Sequence, residues 1–426
     1  MSRAAPAVHA ARAAPAVITG IGVLCPIAPD PARFTEALRA GRTAIAPTGV
    51  DVPAYTAPLP EFVLADALAD VGGLPTGLAE RALRVAGRSP LPVRAATVAA
   101  LQAWQHAELP GAGVPGDRVG LVVAGHNLAG RYVQELRPAF ERDPAHLSPR
   151  FALHCQDTDH VGTLSEVLEV TGEGFTVGAA SASGAFGVVA AARLIACAAV
   201  DVCVVVGALC RVSDMEAHAL ANLGALARAG QDAPGAPFDV AHRGFVPGEA
   251  AAALVLESAE HARARGVRAL AGLAGYGAKL DGNRLADPSA AGEAAVMRAA
   301  LAMAGLQPGR VGYVNAHATG APRGDAAELA ALAEVFGPDL PEVRVNSTKS
   351  LTGHCLAAAG VLEAVATVVQ LREGFLHPIA GLVAPVPTGC RLVTGRTEPV
   401  DLACALSNSF GFGGMNASLL FTKTGA

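Results

Sequence analysis

The segment FTVGAASASGAFG, residues 175–187, runs from an apolar strand pattern into a turn of small residues and on into an alanine-rich helix. A nucleophile on such a turn lies at the helix N-terminus, where the helix dipole favours developing negative charge. Ser181 occupies the turn and is the candidate nucleophile. A strand–turn–helix built from Ala, Gly and Ser is more often simple tight packing, so this segment alone does not identify a site.

Short apolar runs recur on both sides of this turn. Runs that are apolar on both faces are typical of buried strands in a covered sheet. They predict strands at 16–24, 119–124, 202–207, 252–257, 269–278, 312–316, 343–347, 403–407 and 417–422. A helix is predicted through 34–40, opened by Pro31 and closed by Gly41, and further helices are predicted at 291–304, 325–335 and 357–371. Strands and helices alternate, so the fold class is α/β with helices covering the sheets.

The chain length allows two similar halves or one large α/β unit. A chain of 426 residues is too long for one ordinary hydrophobic core. The division predicted from the sequence is a loose arm at 1–15, an N-terminal half at 16–258 and a C-terminal half at 259–426. The charged stretch at 260–268 marks the seam between the halves.

Charge and cysteine content exclude several classes. The net charge of −5 is spread along the chain with no basic stripe for nucleic acid. The eight cysteines form no CxxC pair, and apolar neighbours around Cys197 and Cys203 predict buried free thiols in a reducing cytoplasm. No apolar run is long enough to span a bilayer, and residues 1–15 lack the apolar stretch of a signal peptide. A cytoplasmic location is therefore expected.

Three further segments carry candidate chemistry. NAHATGAPRGD (315–325) places His317 between a strand and a turn, and NSTKSLTGHCLAAAG (346–360) places Lys349 and His354 before a helix. NSFGFGGMN (408–416) has glycines that suit close approach of backbone to a ligand. Taken singly, these segments are equally consistent with a structural histidine, a capping loop and a turn.

Together the four segments, with PFDVAHRGFVPGEAAAALVLE at 237–257, resemble in order and spacing the signatures of the β-ketoacyl-ACP synthases, or ketosynthases. The resemblance runs from about Val17 to the C-terminus. It implies the thiolase fold, in which two βαβαβαββ halves stack as five αβαβα layers. It also implies a homodimer that needs no cofactor, because the substrate is carried on the phosphopantetheine arm of an acyl carrier protein.

The resemblance assigns roles residue by residue. The family's catalytic positions fall on Ser181, His317, Lys349, His354 and Glu363, with Glu363 as the ion-pair partner of the lysine.

Residues around these positions take binding roles by the same resemblance. Phe412 matches the gating phenylalanine, whose backbone N–H would form the oxyanion hole with that of Ser181. Thr319, Thr352 and Phe410 are the implied substrate contacts.

One departure from the family pattern decides the expected chemistry. The family reads Thr-Ala-Cys-(Ser/Ala)-Ser around its nucleophile, whereas residues 179–183 read Ala-Ala-Ser-Ala-Ser. Smaller departures are Ala250 and Ala318 for glycine and Met415 for threonine.

Serine weakens condensation more than decarboxylation. Cysteine can ionise with a pKa of roughly 3.5–7.5 in such a site, but a serine hydroxyl is a far weaker acid and needs a general base. Loss of CO₂ from a malonyl thioester does not need the nucleophile, because two imidazoles can stabilise the enolate oxygen. The lost cysteine with both histidines kept predicts a decarboxylase. Ser181 would then hold the pocket's shape, donate a hydrogen bond, or transiently carry acetyl.

The same substitution is similar to that of the Cys-to-Ser ketosynthase variants of polyketide β-branching cassettes. Those convert malonyl-ACP to acetyl-ACP, and an HMG-CoA-synthase-like enzyme then uses the acetyl unit. Two alternatives stay open: an acyltransferase or condensing enzyme with Ser181 as nucleophile, and a non-catalytic subunit like a chain-length factor.

A metal site at HCQDTDH (154–160) is disfavoured because no second half of a ligand set follows. The GLAGYG pattern (272–277) lacks the context of a dinucleotide site, so neither a metal nor a nucleotide cofactor is expected.

Overall fold

The computed structural model describes residues 16–230, 234–283 and 285–424, so the predicted arm at 1–15 lies outside the described residues. The strands are β1 (Ala16–Leu24), β2 (Ala46–Pro47), β3 (Tyr55–Thr56), β4 (Val119–Ala124), β5 (Gly174–Val177), β6 (Val202–Gly207), β7 (Ala251–Ser258), β8 (Ala271–Leu280), β9 (Tyr313–Asn315), β10 (Arg344–Asn346), β11 (Phe375–Leu376), β12 (Arg391–Leu392), β13 (Glu398–Pro399), β14 (Cys404–Gly411) and β15 (Met415–Thr422).

The α-helices are α1 (Pro31–Arg39), α2 (Leu64–Ala69), α3 (Thr76–Ala86), α4 (Leu91–His106), α5 (Gly130–Arg142), α6 (Phe151–His154), α7 (Asp159–Leu168), α8 (Ser183–Ala196), α9 (Asp214–Asn222), α10 (Ala259–Arg265), α11 (Ala290–Ala304), α12 (Pro322–Phe336), α13 (Lys349–Thr352) and α14 (Ala359–Glu373).

Two half-sheets repeat one topology. The N-terminal half-sheet has the order β5-β4-β6-β7-β1, and the C-terminal half-sheet has the equivalent order β10-β9-β14-β15-β8. Equivalent pairs run in the same sense in both halves, such as the antiparallel pairs β1–β7 and β8–β15. The edge strands β1 and β8 also pair antiparallel between residues 16–18 and 271–273, which joins the halves into one 11-stranded sheet.

Five layers follow from where the helices pack. Helices α4 and α7 contact the N-terminal half-sheet, and α11 and α12 lie with the C-terminal one. Helices α8 and α14 pack against each other, with α8 on β4 and β6 and α14 on β14 and β7. One large cluster of buried apolar side chains includes residues of both central helices. This arrangement agrees with the predicted αβαβα stack.

Glycines allow the two central helices to meet at their N-terminal ends. A Cβ added to Gly184 would lie 2.5 Å from the backbone nitrogen of Val361, and one added to Gly360 would lie 2.5 Å from that of Ala185. Such contacts are closer than carbon and nitrogen allow, so glycine is required at this crossing. Because Ser181 precedes α8 and His354 precedes α14, the crossing brings both residues to one point.

Several predictions from the sequence are confirmed, and some are corrected. Strand β1 has its predicted bounds, and the helix predicted through 34–40 begins at Pro31, as expected, where Asp30 caps it by accepting from the backbone of Arg33. The charged stretch at 260–268 overlaps α10. The prediction that Cys197 is buried was wrong: it is exposed at the C-terminal end of α8, whereas Cys203 is buried.

The described residues contain no helix that combines the length and the apolar character needed to cross a membrane.

Candidate active site

Ser181 lies on a strained turn between β5 and α8. Ala180, just before it, adopts a φ of 47°, a left-handed conformation that is uncommon for alanine. The Ser183 hydroxyl fixes the turn by accepting from the Ala179 N–H (2.8 Å) and donating to the Ala180 carbonyl (2.7 Å). Ser181 is therefore presented at the start of α8, as the sequence predicted.

His354 is held by backbone bonds on both sides and points at Ser181. Its N–H donates to the Val246 carbonyl (2.7 Å), and its carbonyl accepts from the Gly248 N–H (3.0 Å). Its ring atom Nε2 lies 2.8 Å from Ser181 Oγ, and the ring is 2% exposed.

The backbone of Leu356 sets the tautomer of His354. The Leu356 N–H donates to Nδ1 of His354 at 3.3 Å, so in the neutral ring Nδ1 is the acceptor and Nε2 carries the proton. His354 therefore donates its Nε2–H to Ser181 Oγ. A base for the serine would need a bare Nε2, so this arrangement does not activate Ser181 as a nucleophile.

His317 stands beside His354 at the end of β9. The two rings meet edge to face with centroids 5.6 Å apart, and the His317 ring lies 5.7 Å from that of Phe410. The His317 Nδ1 atom has no hydrogen-bond partner within the described part of the chain. The site thus holds two adjacent imidazoles, one of them in contact with Ser181.

Glu328 anchors the backbone under His317. Its buried carboxylate accepts the N–H groups of His317 (2.9 Å) and Ala318 (2.8 Å), and the side-chain amide of Asn408 (3.0 Å). Sequence reasoning missed this residue. The available signal was an acidic side chain eleven residues after His317, on a helix that covers a sheet.

Lys349 and Glu363 form a buried ion pair behind the histidines. Burial lowers the pKa of both His317 and His354 well below the usual value, and the positive charge of Lys349 lowers both further. Burial raises the pKa of the Glu363 carboxyl to about 7, against the lowering effect of Lys349. Both imidazoles are therefore neutral N–H donors at neutral pH.

A cavity of about 270 Å³ opens beside Ser181. Its lining includes Ser181, Phe412, Phe245, His126 and Asn127. Neither His317 nor His354 belongs to this lining. The largest surface cleft, about 1000 Å³ near α1, α2 and α14, contains none of the predicted site residues.

The GFGG turn, residues 411–414, packs against the turn that carries Ser181. A Cβ added to Gly411 would lie 2.7 Å from the Ala179 carbonyl oxygen, so the backbones touch there. Phe412 is 44% exposed at the turn and lines the cavity of Ser181. The oxyanion hole formed by the backbones of Phe412 and Ser181 stays a prediction.

The side-chain hydroxyls of the predicted substrate contacts Thr319 and Thr352 lie within hydrogen-bond distance of nearby backbone groups. Thr319 is partly buried, and its hydroxyl accepts the Ala321 N–H at 3.3 Å. Thr352 is 1% exposed, with its hydroxyl within reach of the carbonyls of Thr348 and Gly353. The geometry at Thr352 gives no support to a contact with substrate.

The HCQDTDH segment forms internal bonds. His154 Nδ1 lies 2.8 Å from Asp159, and Asp157 accepts the backbone N–H groups of Asn127 (3.0 Å) and Leu128 (2.9 Å). Asp157 thereby fixes one wall of the cavity beside Ser181. Among the described residues there is no group of three or more His, Cys, Asp or Glu side chains suited to a metal ion.

Comparisons with known proteins cover nearly the whole chain. The beta-ketoacyl synthase N-terminal domain matches residues 13–262, and the C-terminal domain matches residues 270–383. The polyketide biosynthesis malonyl-ACP decarboxylase PksF of Bacillus subtilis (strain 168) is 36% identical over 407 residues, 95% of each chain. The 3-oxoacyl-[acyl-carrier-protein] synthase 2 of Coxiella burnetii (strain RSA 493 / Nine Mile phase I) is 30% identical over 416 residues, 96% of this chain and 98% of that protein.

Comparison with solved structures agrees with the sequence comparisons. A beta-ketoacyl synthase from Burkholderia phymatum STM815 matches with a TM-score of 0.83 and 27% identity, over 96% of this chain and all of that one. This likeness confirms the predicted thiolase fold. The domain matches and the full-length relatives together show that the chain belongs to the β-ketoacyl synthase family.

Proposed function

We propose that this protein decarboxylates malonyl-ACP to acetyl-ACP. The observation that carries the proposal is Ser181 in place of cysteine, held as a hydrogen-bond acceptor by His354 while both histidines remain N–H donors. The identity to PksF, which is named a malonyl-ACP decarboxylase, points the same way.

The reaction needs two donors at one oxygen. The bond between the malonyl methylene carbon and the carboxylate breaks, and CO₂ leaves. The bond's electron pair forms the enolate, whose negative charge develops on the thioester oxygen. Neutral His317 donates to that oxygen, and the single Nε2–H of His354 shifts from Ser181 Oγ to the same oxygen when the thioester binds. The methylene carbon then takes a proton from water. The thioester carbonyl itself takes up the electron pair, so the proposed reaction requires no cofactor as an electron sink.

The tautomer of His354 weighs against the first alternative. A serine nucleophile needs a general base, and Nε2 of His354 already carries a proton. The second alternative, a non-catalytic subunit, would leave the retained His317, His354 and the Lys349–Glu363 pair without a use.

Incubation with a malonyl-loaded carrier protein tests the proposal. Acetyl-loaded carrier and an equal amount of CO₂ are expected to appear together. They should form much faster than malonyl-loaded carrier loses CO₂ without enzyme. Carrier that stays malonylated in the presence of enzyme would reject the proposal.

Replacing Lys349 with methionine is expected to change the pH dependence. The lysine charge lowers both histidine pKa values, so its removal raises them toward the usual value. Because burial, the larger cause, remains in the variant, both rates should stay level near neutral pH. As the pH is lowered further, the Lys349→Met rate should begin to fall at a higher pH than the wild-type rate. Protonation would place a hydrogen on Nδ1 of His354, facing the Leu356 N–H.

A pH–rate profile of kcat measures this effect. The Lys349→Met/Glu363→Gln variant is the control, because it removes the lysine charge without leaving a buried carboxylate alone. Identical profiles for wild type and Lys349→Met would contradict the role of the charge.

We also propose that the carrier protein docks at a basic cleft of about 580 Å³. Its lining includes Arg84, Arg88, Arg150 and His154, from α3, its C-terminal loop and the start of α6. No ion pair of these three arginine side chains occurs within the described residues. A cluster of like charges on a chain of net charge −5 favours an acidic partner.

An Arg84→Ala/Arg88→Ala/Arg150→Ala variant is expected to raise the KM for malonyl-ACP about tenfold and to weaken its salt dependence. Turnover of malonyl-pantetheine, which has no carrier protein, should not change. Arg396→Ala, outside the cleft, is the matched control. An equal loss with both substrates would argue against a docking role.

We propose that the protein is a homodimer paired through the edge of β5. Strand β5 ends the sheet, and helix α5 contributes no buried residue. Val133 and Phe140 on α5 and Met215 on α9 are exposed apolar side chains. An unpaired strand edge and exposed apolar side chains suit pairing with a second copy of the same surface.

Light scattering should give twice the mass of one chain for the wild type and the single-chain mass for Val133→Asp/Phe140→Asp. Wild-type protein at the single-chain mass would contradict this assembly.

We propose polyketide β-branching as the setting of the reaction, with an HMG-CoA-synthase-like enzyme as the consumer of the acetyl group. The support is the Ser181 substitution together with the polyketide relative PksF.

A further inference from the structure

The hydroxyl proton of Ser181 has no assigned acceptor. Nε2–H of His354 donates to Ser181 Oγ, so the serine proton is not used in that bond. Among the described residues, Ser181 Oγ has no second hydrogen-bond partner. The hydroxyl is also partly exposed toward the cavity, so its proton is free to meet a ligand.

The malonyl thioester carries a carboxylate that can accept a hydrogen bond from the Ser181 hydroxyl. When its carbonyl oxygen lies between His317 and His354, one methylene group separates the thioester carbon from the malonyl carboxylate. Ser181 Oγ is 2.8 Å from Nε2 of His354, so it is a near neighbour of any oxygen bound there. The carboxylate reaches Ser181 when it turns out of the thioester plane toward the cavity.

That orientation is the one the chemistry needs. The breaking bond must stand roughly perpendicular to the thioester plane, so that its electron pair enters the carbonyl π system as CO₂ leaves. A donor on the cavity side holds the carboxylate out of the plane, whereas the histidines hold the carbonyl oxygen.

A neutral donor suits this role better than a cation. The carboxylate charge leaves that group during the reaction, so a positive charge beside it would stabilise the ground state more than the transition state. The cavity lining contains no Lys or Arg, and its polar members include Ser181, His126 and Asn127. Its one carboxylate, Glu216, already accepts hydrogen bonds from the N–H and the hydroxyl of Ser213. The serine can therefore orient the carboxylate without holding its charge strongly.

We propose that the Ser181 hydroxyl donates a hydrogen bond to the malonyl carboxylate and orients it for decarboxylation. The proposal rests on the proposed function, because it concerns how the same thioester is held. It makes Ser181 a substrate-contacting residue that distinguishes malonyl from acetyl thioesters, and it replaces a nucleophilic role with a binding one.

The Ser181→Ala variant tests the proposal with two carriers. A hydrogen bond to a charged group that is lost should raise the KM for malonyl-ACP about 10- to 100-fold. The Ki of acetyl-ACP as a competitive inhibitor should stay within about twofold, because acetyl has no carboxylate. Ser183→Ala is the matched control, since it loosens the elbow and should move both constants together.

Equal shifts of KM and Ki in Ser181→Ala, or no shift in either, would overturn the proposal. So would an acyl group on Ser181 that turns over. Failure of the proposed function looks different, because wild-type enzyme would then leave malonyl-ACP intact. Calorimetric binding of malonyl- and acetyl-ACP to wild type and Ser181→Ala would still test carboxylate recognition in that case.

Discussion

Replacing both His317 and His354 with alanine is expected to lower kcat for malonyl-ACP decarboxylation by at least about 10³-fold. Losing one preorganised donor at a developing oxyanion typically costs about 10²–10³ in rate. Here two neutral rings, 5.6 Å apart, would serve the same oxygen. Because they act together, the two single effects should not simply multiply.

Glutamine variants sharpen this prediction. His354→Gln can still present an N–H toward the oxygen, so it should keep more activity than His354→Ala. Thermal unfolding of each variant separates lost donation from lost folding, since the backbone of His354 is bonded to Val246 and Gly248 independently of the ring. Wild-type decarboxylation by the double alanine variant would refute the assigned roles.

Replacing Ser181 with cysteine is expected to restore the missing half of a condensing reaction. A thiol at the start of α8, beside the Nε2–H of His354, should ionise much more readily than serine. Its thiolate would take acetyl from acetyl-ACP, and the resulting thioester is a better electrophile than a serine ester. The variant should therefore carry a stable acetyl group and form acetoacetyl-ACP when malonyl-ACP is added.

Wild type and Ser181→Ala are the controls for this gain. Neither should form the condensed product, although wild type should still decarboxylate. Condensation by wild type at a rate similar to Ser181→Cys would show that serine is already a competent nucleophile, in favour of the first alternative.

The elements that local sequence specifies were the most predictable. The apolar run of β1 and the four glycine-rich and histidine-rich segments could be read directly, since each feature lies within about fifteen consecutive residues. The turn at Ser181 was predictable from its run of small residues. The same run includes Gly184, which meets Gly360 at the close helix crossing.

Contacts between distant segments could not be predicted. The tautomer of His354 depends on the direction of the Leu356 backbone N–H. The pattern of side chains in the sequence does not reveal that direction. Glu328 supports His317 because α12 folds back beneath β9. The basic cleft joins Arg84 and Arg150, which are far apart in the sequence, so it emerges only in the folded chain.

The most direct measurement is intact-mass analysis of a malonyl-loaded carrier protein and the enzyme in the same sample. The account predicts that the carrier loses CO₂ and becomes acetylated while the enzyme mass stays unchanged. A carrier that remains malonylated while the enzyme gains an acyl group would contradict it, and would make Ser181 a nucleophile.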